Sequence, residues 1–233
     1  MTSAIVRPRR RAPRGQGELL HGEILQAAKD LLAETGDVDA VSVRAVAQRV
    51  GVSTPSLYLH FTDKAALIDA VCQDVFTQLD LAMEQAAELE ADPLQGLRAR
   101  GVAYARFALA NPEHYRLVMM RRPQDSGAQF SDHDIMASST YRHLVDAVHR
   151  CVDGDVFAPD TDVDLVATSL WACAHGAVSL VLAKPGIGGE NALALCEHVI
   201  SSSGLGLAVT SRLMALAPEQ VPAAVNSMMQ TLH

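Results

Sequence analysis

Apolar residues recur at helical spacing along most of the chain, and Gly, Pro, Ser and Asp interrupt them. Leu20, Ile24, Ala27, Ala28, Leu31 and Leu32 form one stripe and predict a helix over about Glu18–Glu34, ended by Gly36. Ser42 is placed to cap a second helix, Val43–Val50, with Val43, Val46, Ala47 and Val50 on one face. Gly51 sits where a tight turn needs a residue that tolerates positive φ. Ser53 or Thr54 can cap a third helix, and Pro55 fits its first turn, where a missing N–H costs nothing. That helix is only about two turns long, and it presents Thr54, Ser56, Tyr58 and His60 in place of an apolar face. Two short helices around a Gly-containing turn make a helix-turn-helix. Small polar side chains on a stubby second helix suit the floor of a DNA major groove.

Beyond it, Asp63 opens a long helix from Lys64 to about Glu90, and Asp92 with Pro93 opens another that runs to about Ala110. Asn111 and Pro112 restart the chain as a sixth helix. Residues Arg121–Asp132 hold Pro123, Asp125, Ser126 and Gly127 and predict a loop. Helices follow over about Asp134–Cys151, Thr161–Ala183 and Asn191–Leu216, the last with Gly204 and Gly206 as bend points. A short final helix is expected over Pro218–Leu232. No segment has strand periodicity, so the expected class is all-α, with nine or ten helices.

The stretch from Val50 to Lys64 also resembles the N-terminal signature of TetR-type transcriptional regulators. The match runs through Ile24, Ala27, Ala28, Leu32, Glu34, Gly36, Ser42, Ala47, Gly51, Val52, Ser53, Leu57, Tyr58, His60, Phe61, Lys64 and Leu67. It covers about the first third of the chain. The resemblance implies a three-helix DNA-binding head over 18–64 and a helical ligand-binding and dimerisation body over 65–233, with a basic arm, 1–17, ahead of both. It also implies a homodimer on double-stranded operator DNA, released by a small-molecule effector, most simply as a repressor. Trp171-x-x-x-His175-Gly176 resembles the Trp-His-Gly pattern of one C-terminal domain type in such regulators.

Charge changes the picture in one respect. A net charge of −8 is unusual for a DNA binder, but residues 1–64 hold nine Lys or Arg against seven Asp or Glu, leaving ten against twenty for the rest. A mildly basic head on an acidic body fits a protein that meets nucleic acid with one end. The arm holds Arg7, Arg9, Arg10, Arg11 and Arg14 among prolines and glycines, and serves either as a DNA-tracking arm or as a solvated tail. Four widely spaced cysteines (Cys72, Cys151, Cys173, Cys196) disfavour zinc ribbons and disulfide frameworks, and point to reduced thiols in cytoplasm. Leu165–Ala183 is nineteen residues without a charge, long enough to span a membrane. Its Thr168, Ser169, His175, Gly176 and Ser179, and the lack of an equally clean second span, favour a buried interface helix.

Tyr58 and His60 match the family's backbone-contacting pair and can donate to phosphates. Lys64, at a helix start, can join exposed N–H groups around one phosphate. Arg44 can reach a phosphate or a guanine edge. Thr54 and Ser56 either read base edges or, with Ser53, cap the helix; Pro55 meets a thymine methyl or preorganises the turn. In the body, Tyr104, Phe107, His114, Tyr115, Met119 and Met120 form an aromatic and Met cluster that either lines an adaptable pocket or is core. Trp171 and His175, four apart on one helix, join that candidate set.

The small residues Ala174, Gly176 and Ala177, with Gly204, Gly206 and Ala208, permit close approach of the last two long helices to their two-fold mates. No Gly-rich phosphate loop, nucleophile elbow or His-Glu-x-x-His is present, so no catalytic residue, metal ligand or cofactor is assigned. Two readings stand beside the regulator: a small-molecule binding protein or scaffold with no specific operator, and a metal sensor, against which His143/His149 and Cys173/His175 do not share a helical face well and Asp132-His133-Asp134 reads more simply as a solvated cap.

Overall fold

The computed structural model describes residues 17–120 and 138–231. The basic arm before Gly17, the loop at Arg121–Asp132 and the expected helix start at Asp134 lie outside the described residues. The described chain is all helical and forms two compact units, 17–78 with 111–120, and 79–110 with 138–231.

The first unit starts with α1 (Gly17–Thr35), α2 (Val43–Val50) and α3 (Thr54–Tyr58). Gly36 closes α1 at φ 63°, its N–H bonded to the Leu32 carbonyl at 2.8 Å. Ser42 caps α2 by accepting the Ala45 N–H, and Gly51 ends it at φ 78°. That left-handed residue lets the chain turn within two positions, and its N–H and that of Val52 both reach the Ala47 carbonyl. Ile24, Ala28, Leu32, Val46, Leu57, Phe61 and Leu67 are buried. The lead-in to α4 (Lys64–Glu88) is capped by Asp63, whose Oδ1 accepts the Ala66 N–H at 2.8 Å. This unit also holds α6 (Pro112–Tyr115), which continues as a π-helical turn over Arg116–Met120. The sequence predicted helix there, but the wider turn has no sequence mark.

The second unit contains the end of α4 and α5 (Pro93–Ala110), α7 (Ser139–Asp153), α8 (Val163–Ala183), α9 (Ala192–Met214) and α10 (Val221–Thr231). Its core joins Leu97, Val148, Cys151, Phe157, Val166, Ala167 and Ala208 from α5, α7, α8, α9 and the turn after α7. The expected start at Asp134 lies outside the described residues; the described helix is capped by Ser138, whose side chain accepts the Tyr141 N–H. At its other end α7 runs two residues further than expected, to Asp153. Gly204 and Gly206 do not break α9, which is continuous from Ala192 to Met214.

A second correction concerns apolar length. Both Val163–Ala183 and Gly189–Met214 are long and apolar enough to cross a membrane, so the first span does have a companion. Each is amphipathic in a different sense. On α8, Leu165, Thr168, Ala172, Gly176 and Leu180 recur at three- to four-residue spacing and are exposed; on α9, Ala194, His198, Ser202, Leu205 and Gly206 do the same.

Candidate nucleic-acid interface and effector site

The turn and recognition helix present a short, mostly polar surface. Ser53 caps α3 by accepting the Ser56 N–H, and the two hydroxyls lie 2.8 Å apart. Ser56 is thereby engaged at both its N–H and its hydroxyl, whereas Thr54 and Pro55 stand at the helix start with Pro55 exposed. Tyr58, the last residue of α3, is 51% exposed. His60 lies in the turn after the helix, not on it, and is half-buried. Leu59, between them, is 86% exposed. The sequence reading passed over it because an isolated leucine reads as core, and only its placement at the end of α3 reveals an apolar contact point beside two donors.

Lys64 opens α4, and its ammonium bonds Asp39 Oδ1 at 3.0 Å. Arg49 holds both oxygens of Glu34, which pushes the Glu34 carboxyl below its usual range and raises the Arg49 guanidinium. Arg44 is exposed on the second position of α2, with no acidic partner among the described residues. The His21 ring stacks on Phe61 (centroids 4.8 Å) and lies 6.2 Å from His60. The beginning of α1 therefore sits at the same rim as the candidate phosphate donors.

The effector candidates divide between the units. In the first, His114 Nε2 lies 3.0 Å from the Lys29 carbonyl of α1, Tyr115 is fully buried and Met119 is half-buried. His114 thus serves as a tie between α6 and α1. Lys29 itself is buried and meets Asp74 Oδ2 at 2.5 Å. In the second unit, Tyr104, Trp171 and His175 come together, while Phe107 is half-buried. His175 Nδ1 is 3.2 Å from the Tyr104 hydroxyl and Nε2 is 3.3 Å from that of Ser179. Burial lowers its pKa, so the ring is held neutral, with one nitrogen donating and the other accepting. Tyr141 adds an edge-on contact to Trp171 (6.4 Å) and its hydroxyl lies 2.9 Å from Thr168. Thr168 and Ser179 follow the same helical face as Trp171 and His175 and were legible by spacing. Tyr141, on another helix, was not.

One group set that sequence pairing missed can hold a cation: Asp80, Glu84 and His143, whose ligand atoms lie within 4.8 Å of one another. His143 Nδ1 is 3.0 Å from Asp80 Oδ1 and 3.4 Å from Glu84 Oε1, and the Ser139 hydroxyl donates to Asp80 Oδ2. Arg100, however, is 2% exposed and already pairs with Glu84 through Nη1. A divalent ion would have to share Glu84 with a buried guanidinium. The set is better matched as an ion cluster that joins α4, α5 and α7.

Two family models match the sequence: bacterial regulatory proteins of the tetR family over residues 24–71, and a tetracyclin repressor-like C-terminal domain over residues 97–202. The HTH-type transcriptional repressor KstR2 of Mycolicibacterium smegmatis is 30% identical over 150 residues, spanning 62% of this chain and 70% of that protein. KstR2 of Mycobacterium tuberculosis is 28% identical over 155 residues, 65% of this chain and 76% of that one. A solved structure of a protein with unknown function from Rhodococcus sp. RHA1 aligns at 26% identity with a TM-score of 0.71, covering 85% of this chain and 100% of that chain.

Proposed function

Because the chain belongs to the TetR family of bacterial transcription regulators, we propose that it is a homodimeric repressor that leaves its operator when a small apolar or amphipathic effector binds the body. The observation that carries this reading is the capped turn from Ser42 to Lys64, with Tyr58 exposed at the end of a stubby helix, half-buried His60 in the turn after it and Lys64 at the start of α4. In it, Tyr58 and His60 donate to phosphates, Lys64 trades Asp39 for a phosphate, and Leu59 packs against sugar or a thymine methyl. Arg44 is the one candidate left to choose between a phosphate and a base edge.

The exposed stripes of α8 and α9 support dimerisation through those helices. An added Cβ at Gly176, Gly204 or Gly206 would meet nothing within 4 Å inside the protomer, so none of the three is required by its own fold. Of these, Gly176 and Gly206 are exposed on the two stripes, and glycines free of internal duty there suit the close crossing of helices from two copies. A two-fold dimer would set two heads at successive major grooves about 34–36 Å apart. Cytoplasmic location follows from this activity.

For the effector, Tyr104, Trp171 and His175 form a candidate group within the second unit, and a neutral His175 suits an uncharged or amphipathic ligand. Effector binding would act by population shift, favouring a body state whose α4 holds the heads at the wrong spacing.

The test is binding of the purified protein to DNA from the region upstream of its own gene, with excess unrelated competitor. Competitor-resistant binding is expected for the parent. Tyr58→Phe with Lys64→Ala should weaken it at least tenfold and flatten its salt dependence, with the dimer intact by sedimentation. Unchanged binding by that double variant would remove the backbone-contact assignment. Leu165→Glu with Leu205→Glu should yield monomers; dimers that persist would move the interface elsewhere.

A further inference from the structure

We propose that Arg100 is the polar anchor of the effector site, and that it holds an uncharged oxygen of the ligand, a ketone or ester carbonyl, rather than a carboxylate or phosphate. The inference rests on the effector reading above and names the ligand class. Arg100 is 2% exposed and meets Glu84 through Nη1, a contact that balances its charge. Its Nε and Nη2 are buried and have no hydrogen-bond partner among the described residues. Nε carries one N–H and Nη2 two, so most of the guanidinium's donors are unfilled. Native structures fill nearly all such donors. Arginine does not escape burial by losing its proton, as a buried lysine does. Nor is α5 placed to draw it out: at Gly101 an added Cβ would come within 2.7 Å of Ile200 Cγ2, so α5 crosses α9 closely beside it.

The open donors lie next to the aromatic group. Arg100 and Tyr104 are one helical turn apart on α5, and both are buried. The Tyr104 hydroxyl reaches His175 on α8, one turn from Trp171. On α7, Ser139 and His143 meet Asp80, while Tyr141 between them meets Trp171. Two helices thus each give residues to the ion cluster and, within a turn, to the aromatic group. Thr140, at the same end of α7, adds a buried hydroxyl with no partner among the described residues. An apolar ligand lying along Tyr104 and Trp171 would bring its polar end to Arg100 and Thr140.

Charge decides the class of that polar end. Asp80, Glu84 and His143 hold their ligand atoms within 4.8 Å of one another, and Arg100 joins them through Glu84. Two carboxylates face one guanidinium and one imidazole, so even a protonated His143 brings the cluster only to neutrality. No positive charge is left over for an anion, and Asp80 and Glu84 would repel one. Open donors without spare charge fit a neutral acceptor. A carbonyl oxygen has two lone pairs and can take the Nε and Nη2 hydrogens together.

The test uses three probes of one shape: methyl octyl ketone, the alkene in which a methylene replaces its carbonyl oxygen, and nonanoate, in which an ionised oxygen replaces its methyl. Binding to the full-length protein is read by melting temperature and by emission of Trp171, the sole tryptophan. An apolar pocket alone prefers the alkene, because the ketone must give up the hydration of its oxygen. The parent is expected to reverse that order and bind the ketone about tenfold tighter than the alkene, and tighter than nonanoate by at least as much. Arg100→Met with Glu84→Gln removes both charges together, so neither is left buried alone. In that variant, with helicity unchanged, the alkene should bind at least as well as the ketone. The order of the three probes on the parent decides even where the variant does not fold. Alkene or nonanoate bound as tightly as the ketone, or no binding of the ketone, overturns the proposal. So does a ketone preference that survives the double variant. Failure of the effector reading shows separately: ketone binding that needs Arg100 but leaves Trp171 emission unmoved would keep the carbonyl site and remove the aromatic group from it. A parent that never resists competitor DNA would remove the regulator reading and leave these binding measurements standing.

Discussion

In the head, Lys64 meets Asp39 at 3.0 Å with the carboxylate 85% exposed; in the body, Arg100 meets Glu84 with the guanidinium 2% exposed. The chemical groups are alike and the consequences differ. Water competes for the first pair, which is worth little to stability and opens readily. In the second the guanidinium has lost its hydration and depends on Glu84, and His143, Asp80 and Ser139 extend the set across three helices. One chain thus carries an exchangeable ion pair in the proposed DNA-binding head and a fixed joint where its body helices must hold together.

The sharpest way to break this contrast is Glu84→Gln, which leaves the Arg100 charge buried without its partner. Denaturant unfolding should show a loss of about 3–5 kcal/mol. A loss below 1 kcal/mol would mean that the cluster is as exchangeable as the head's pairs. Next in size is Asp39→Asn. Freeing Lys64 should tighten DNA binding by about three- to tenfold at low salt while changing stability by less than about 1 kcal/mol. Weaker binding would assign Asp39 a supporting role toward DNA.

A smaller effect belongs to His175. Burial depresses its folded pKa below the ordinary value of about 6.5, so below that pH the unfolded chain takes up a proton that the folded ring resists. Its contribution is fully present above about pH 6.5 and declines as pH falls through that value toward the lower folded pKa. Melting temperature between pH 7.5 and 5.5 should fall less in His175→Gln than in the parent, and equal falls would place the titration elsewhere. Smallest is a reactivity difference. Burial raises the Cys151 thiol to about 11, so iodoacetamide at pH 8 should label half-exposed Cys173 well before Cys151.

Helix ends were the most legible part of the fold, because single residues decide them. Gly36, Ser42, Gly51, Pro55, Pro93 and Pro112 act through φ, a capping oxygen or a missing N–H, and all of those are local. The recognition turn could be read for the same local reason. Pairings between helices could not. No sequence pattern sets Arg100 on α5, or Asp80 and Glu84 on α4, apart from other charged residues. Nothing near either in sequence reports that His143 lies beside them. The exposure of Leu59 and the π-helical turn at Arg116–Met120 were equally silent, since each depends on what the rest of the chain fails to cover or must accommodate.

The approach of His21 to His60 has a practical side. Because α1 begins beside the proposed DNA-binding surface, a tag on the N-terminal side adds its own charge to any measured attraction for DNA. A polyhistidine tag gains positive charge as the buffer is acidified. An apparent acid-enhanced affinity for DNA would then belong to the tag, and tag-free protein is the proper reference for every binding constant.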